Sequence, residues 1–98
     1  MAKTTDKKVY LLVDMSQDGL LDFQLIDDRG QILAHENRPY EGHVDNILLT
    51  VVDNLLKRSK LHKSALTNAE AGQGIDKNSS LYRIVRVFSS VLAEAQRG

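Results

Sequence analysis

Residues 11–36, LLVDMSQDGLLDFQLIDDRGQILAHE, decide the fold. Two clusters of turn-forming residues, SQDG at 16–19 and DDRG at 27–30, divide the stretch into three runs. Asp-Gly is a strong hairpin signal, because glycine supplies the positive φ that tight turns require. The run leading into the first turn, Val9 to Val13, is unbroken and apolar, with β-branched and aromatic members. It predicts a strand buried on both faces. Between the turns, Leu21, Phe23 and Leu25 fall on one face of an extended chain and Asp22 and Gln24 on the other. Gln31 to Glu36 forms a third run. The prediction is a three-stranded antiparallel meander with Asp14 at the end of its first strand.

Outward from the meander the pattern changes. NRPYEG (37–42) holds the only proline, Pro39, and breaks the alternation. From His43 onward, Val44, Ile47, Leu48, Val51, Val52, Leu55 and Leu56 recur at helical spacing. Asp45 near the start and Lys57, Arg58 and Lys60 near the end suit the helix dipole. The spacing predicts a helix over 43–60. ALTNAEA (65–71) is short and polar for a strand and reads as a weak one. GQG (72–74) and DKNSS (76–80) read as flexible loop on either side of Ile75, with Asn78 or Ser79 placed to cap a second helix. In that helix Leu81, Ile84, Val85, Phe88, Val91, Leu92 and Ala95 repeat the period.

Both helices carry more apolar surface than one sheet contact needs. Leu49 widens the first helix's arc, and Tyr82 and Val87 the second's, to roughly 200°, where a stripe of ~100° suffices to cover a core. Leu49, Val52, Leu56, Tyr82, Val87 and Val91 are therefore candidates for a partner interface, with some of them available to the sheet instead.

Composition narrows the function classes. The 98 residues suit one small domain, predicted over 8–98 behind a polar, disordered lead-in at 1–7. Thirteen basic and thirteen acidic residues cancel. No surplus positive charge drives binding to nucleic acid or to an anionic membrane, and none opposes self-association. There is no cysteine, which suits a reducing cytoplasm, and no apolar stretch of signal-peptide or membrane-span length.

Strand-hairpin-strand, a helix, a weak strand and a second helix form the core order of the ribonuclease-H-like and actin-like folds. Within that group the chain resembles the N-terminal half of the TsaB (YeaZ) family, accessory proteins in threonylcarbamoyladenosine synthesis on tRNA. LLVDMSQDGLLDFQLIDDRGQILAHE corresponds to that family's strand ending in DTST and the hairpin after it. HVDNILLTVVDNLL corresponds to the helix that opens HSE, with His43 on the histidine. EAGQGIDKNSSLYRIV stands where the family has GRGPGSFTGLRIG, with Arg83 and Ile84 on its RI and the Gly-Pro-Gly-Ser-Phe-Thr-Gly core missing. The resemblance covers roughly residues 8–96. It implies an α/β half-domain without catalysis, whose two helices pack against two helices of a TsaD-like transferase subunit or of a second copy. It implies no cofactor. A competing reading is an actin-like assembly domain unrelated to tRNA.

The first-strand aspartate of actin-like ATPases, with the hydroxyl turn after it, holds metal and phosphates. Here Met15 and Gln17 replace the small hydroxyl residues and leave Asp14 and Ser16 as vestiges of that motif. The competing role for Asp14 is to accept turn N–H groups at a strand end. A metal-dependent nuclease of this superfamily would need further carboxylates, for which Glu70 and Asp76 are available, but there is no basic stripe to hold its substrate. His35, His43 and His62 share no metal-ligand spacing. GQG lacks the lysine and spacing of a phosphate loop. KRSKLHK (57–63) reads as a solvated helix end.

Overall fold

The computed structural model describes residues 8–16, 18–40 and 44–97. Strands β1 (Val9–Met15), β2 (Leu20–Asp27) and β3 (Ile32–Pro39) are followed by helix α1 (Val44–Arg58), a 3-10 turn (Lys63–Ala65), strand β4 (Leu66–Ala71) and helix α2 (Ser80–Arg97). The four strands form one mixed sheet in the order β3-β2-β1-β4. β1–β2 and β2–β3 are antiparallel, and β4 runs parallel to β1. The predicted meander is present, and α1 carries the chain from one edge of the sheet to the other.

The register explains the core. Leu11 lies opposite Leu25 and Ala69, and Val13 opposite Phe23 and Ala71, so one face collects the large apolar side chains. Leu48, Val51 and Leu55 of α1 and Leu81 and Val85 of α2 close over that face. Each such side chain contributes about 1.5–3 kcal/mol by leaving water. The opposite face, with Tyr10, Leu12, Asp22 and Gln24, is only half-buried. β1 is therefore not buried on both faces, as its apolar run predicted. Both helices lie on one side, and Tyr10 and Leu12 line the uncovered one.

The ambiguous stretch at 65–71 is a strand over Leu66–Ala71. Its weak local signal is overridden by pairing with β1, and Leu66 and Ala69 are buried. Small side chains there let α2 approach closely, and the Ser89 hydroxyl donates to Asn68 Oδ1. α1 ends at Arg58, short of the predicted end at 60. Lys60 takes a φ of +58°. Its N–H donates to the Lys57 carbonyl and the Leu61 N–H to the Leu56 carbonyl. Those two bonds close the helix as a Schellman motif. Arg58 then ties this end to the sheet, donating to Glu36 Oε1 at 2.9 Å and to the His35 carbonyl at 3.3 Å. The expected lead-in at 1–7 lies outside the described residues.

Candidate functional site

Two regions answer to the sequence candidates: the end of β1, and the helix side of the sheet.

At the end of β1, Asp14 Oδ1 accepts the N–H of Met15 and the N–H of Gly74, each at 2.8 Å. The Gly72 N–H extends the β1–β4 ladder by donating to the Val13 carbonyl at 2.7 Å. GQG is thus not a plain flexible loop but a wrap around a carboxylate. Both glycines are required by close approach. A Cβ on Gly72 would stand 2.5 Å from Asp14 Oδ2, and one on Gly74 2.6 Å from Oδ1. The wrap delivers Ile75 into the core. It leads to Ser79, which caps α2 by accepting the Tyr82 N–H at 3.1 Å. Of the two capping candidates, Ser79 is the one that acts, while the Asn78 N–H donates to Asp76 Oδ1.

Ser16 is engaged as fully by its own turn. Its N–H donates to the Leu20 carbonyl and its carbonyl accepts the Gly19 N–H. Its Oγ accepts the N–H groups of Asp18 and Leu20, both at 3.3 Å. Gly19 takes a φ of +79°. That conformation is open to glycine because it lacks a Cβ. Asp14 and Ser16 thus bond to backbone N–H groups, Asp14 to those of Met15 and Gly74 and Ser16 to those of its own turn. Asp14, Glu70 and Asp76 do not form a metal-binding group, and among the described residues no three His, Asp or Glu side chains do. Gln17 and His43 lie outside the described residues.

On the helix side, α1 and α2 touch each other only narrowly and leave a groove between them of about 570 Å³. Val52 and Leu56 from α1, Leu66 from β4, and Phe88 and Leu92 from α2 line it. Leu49, 64% exposed, stands on the α1 side. Val87 and Val91, 58% and 57% exposed, continue the apolar surface of α2. The six interface candidates thus divide. Leu49, Val87 and Val91 are open to solvent. Val52 and Leu56 are buried in this chain's own core and show only a groove-lining edge. Tyr82 is half-buried against the core, with Arg86 stacked over its ring 5.8 Å from the centroid. On α1 the flank that carries Leu49 faces the groove; on α2 the groove is lined by Phe88 and Leu92, and Val87 and Val91 are exposed outside that lining.

Polar groups mark the groove's rim. Lys57 Nζ and Asp53 Oδ2 pair at 3.0 Å along α1. Lys63, from the 3-10 turn, also lines the groove and has no ion-pair partner among the described residues. As sequence, KRSKLHK (57–63) reads as a solvated helix end; Lys63 is exposed but belongs to the 3-10 turn beside the groove, and nothing in the periodicity marks Phe88 and Leu92 as groove residues. Their helical spacing marked them as apolar but could not say that α1 would stand too far away to cover them.

No family model matches the chain, and no curated protein matches it. Among the described residues no helix is long and apolar enough to cross a membrane.

Proposed function

We propose that this chain is a non-catalytic binding module of the TsaB-like kind, an actin-like or ribonuclease-H-like half-domain that works through the groove side of α1 and α2. The observation that carries the reading is the apolar groove, with Leu49 exposed in its lining and Val87 and Val91 exposed on α2. Exposed apolar side chains gathered on one face mark a contact surface better than the same residues scattered singly. The strand order β3-β2-β1-β4, with α1 crossing between the edges, agrees with the proposed half-domain. The engagement of Asp14 and Ser16 with backbone N–H groups supports a binding role over phosphate chemistry. On this reading the chain is cytoplasmic, and its partner is a TsaD-like transferase subunit or a second copy.

The test is to mix the chain with a TsaD-like subunit and measure complex formation by sedimentation velocity. A complex that Val87→Glu disrupts and Asp14→Asn leaves intact is the expected result. Loss of the complex in a folded Asp14→Asn variant, or low-micromolar binding of Mg-ATP by calorimetry, would overturn the proposal.

A further inference from the structure

From the reading of the helix side as a binding face, we infer the chemistry of its occupant: an amphipathic α-helix of another protein, bearing a carboxylate that meets Lys63. Three observations lead there.

The first is shape. α1 and α2 run in the same direction, because each follows a strand parallel to β1. The groove between them is therefore a channel along two helices, and its lining is aliphatic apart from Phe88 and a few rim groups. An apolar helix face laid into such a channel buries residues at i, i+3, i+4 and i+7. The exposed Leu49, Val87 and Val91 extend the apolar surface beyond the groove, so the occupant is wider than a single acyl chain.

The second is charge. Lys63 stands between α1 and β4 and lines the groove; Asp53, the acid of α1 that shares the lining, pairs with Lys57. A cation beside apolar lining that makes no ion pair among the described residues favours an occupant that brings an acid.

The third is what a second copy could offer. Its own helices have committed Leu48, Val51 and Leu55, and Leu81 and Val85, to its sheet. Among the described residues, the large apolar side chains it leaves exposed on its helices are Leu49 on α1 and Val87 and Val91 on α2, to fill a groove of about 570 Å³. It would also bring a second unpaired Lys63. A foreign helix can offer a whole stripe together with the missing acid.

The experiment is a selection of phage-displayed amphipathic helices on the intact chain, followed by fluorescence anisotropy with the synthetic consensus peptide. The expected consensus has large apolar residues at i, i+3/i+4 and i+7 and Asp or Glu at one fixed position. Lys63→Glu should weaken that peptide about tenfold or more, the effect of losing one charge-assisted contact. Leu49→Asp should abolish binding, and reversing the peptide's acid to Lys should restore affinity for Lys63→Glu. Both side chains are on the surface, and unchanged thermal melts will show that folding is intact. A consensus without a fixed acid, or equal binding to Lys63→Glu, overturns the inference and leaves the binding-face reading standing. So does a wild-type dimer that Leu49→Asp dissociates in sedimentation equilibrium, which makes a second copy the occupant. Peptide binding that ignores Leu49→Asp, or a selection that enriches no helix, overturns both.

Discussion

The two hairpin turns of the meander are built on one plan with different acceptors. In the first, the Ser16 N–H donates to the Leu20 carbonyl and the Ser16 carbonyl accepts the Gly19 N–H. In the second, the Asp27 N–H donates to the Gln31 carbonyl and the Asp27 carbonyl accepts the Gly30 N–H. In each, a side-chain oxygen of the leading residue accepts the N–H groups two and four residues later. Each turn then leaves through a glycine with positive φ, +79° at Gly19 and +84° at Gly30. The difference lies in strength and setting. Ser16 is exposed and its bonds are 3.3 Å long. Asp27 is 3% exposed and its bonds are 2.9 Å. A hydroxyl after the first strand, which by resemblance reads as the remnant of a phosphate motif, has a counterpart in the second turn, where no phosphate motif is expected. Turn chemistry accounts for both.

The comparison breaks most easily at its buried member. Asp27→Ala removes a carboxylate acceptor from two N–H groups at a site closed to water. It should cost about 1.5–3 kcal/mol, the range for hydrogen bonds to a charged group. Urea denaturation followed by circular dichroism reads this directly, and a loss equal to that of Ser16→Ala would mean that burial adds nothing.

Next come the glycines. Gly19→Ala and Gly30→Ala each place a Cβ in the left-handed region, at a cost of about 1–2 kcal/mol. Neither Cβ would meet another atom. The two costs should therefore agree, and thermal melts showing one far larger than the other would refute the shared plan.

Ser16→Ala should have the smallest effect of the three losses, about 0.5–1 kcal/mol, because its hydroxyl bonds are long and water can replace them. Ser16→Asp sharpens the point. A carboxylate there copies the second turn and should raise stability slightly, measured by the same denaturation curves. If Ser16→Asp left stability unchanged but abolished partner binding, the hydroxyl would have a recognition role beyond its turn.

The helix end offers a separate comparison on the same physical ground. Lys60 has a φ of +58°. Glycine is the usual residue at such a position. Lys60→Gly should raise stability by up to about 1 kcal/mol, read from thermal melts. No such gain is available at the hairpins, where glycine already stands.

Much of this architecture is legible in the residues alone. The alternation of Leu21, Phe23 and Leu25 against Asp22 and Gln24, the two Gly-closed turns, and the helical periods from 44 and from 81 are local signals. Local signals survive folding because backbone sterics and hydrogen bonding act over a few residues. They determined the meander, both helices and their order. What they could not contain is anything set by contacts between distant segments. β4 is a strand because β1 pairs with it, not because LTNAEA prefers to be one. Gly72 and Gly74 are required because Asp14, far away in the chain, lies against them. Val9 to Val13 looks buried on both faces because an apolar run does not record on which side the helices will settle. The apolar arcs of α1 and α2 showed that surplus surface exists. The distance between the two helices decided that it becomes a groove with Lys63 in its lining, and side-chain packing across the sheet, not any stretch of sequence, sets that distance.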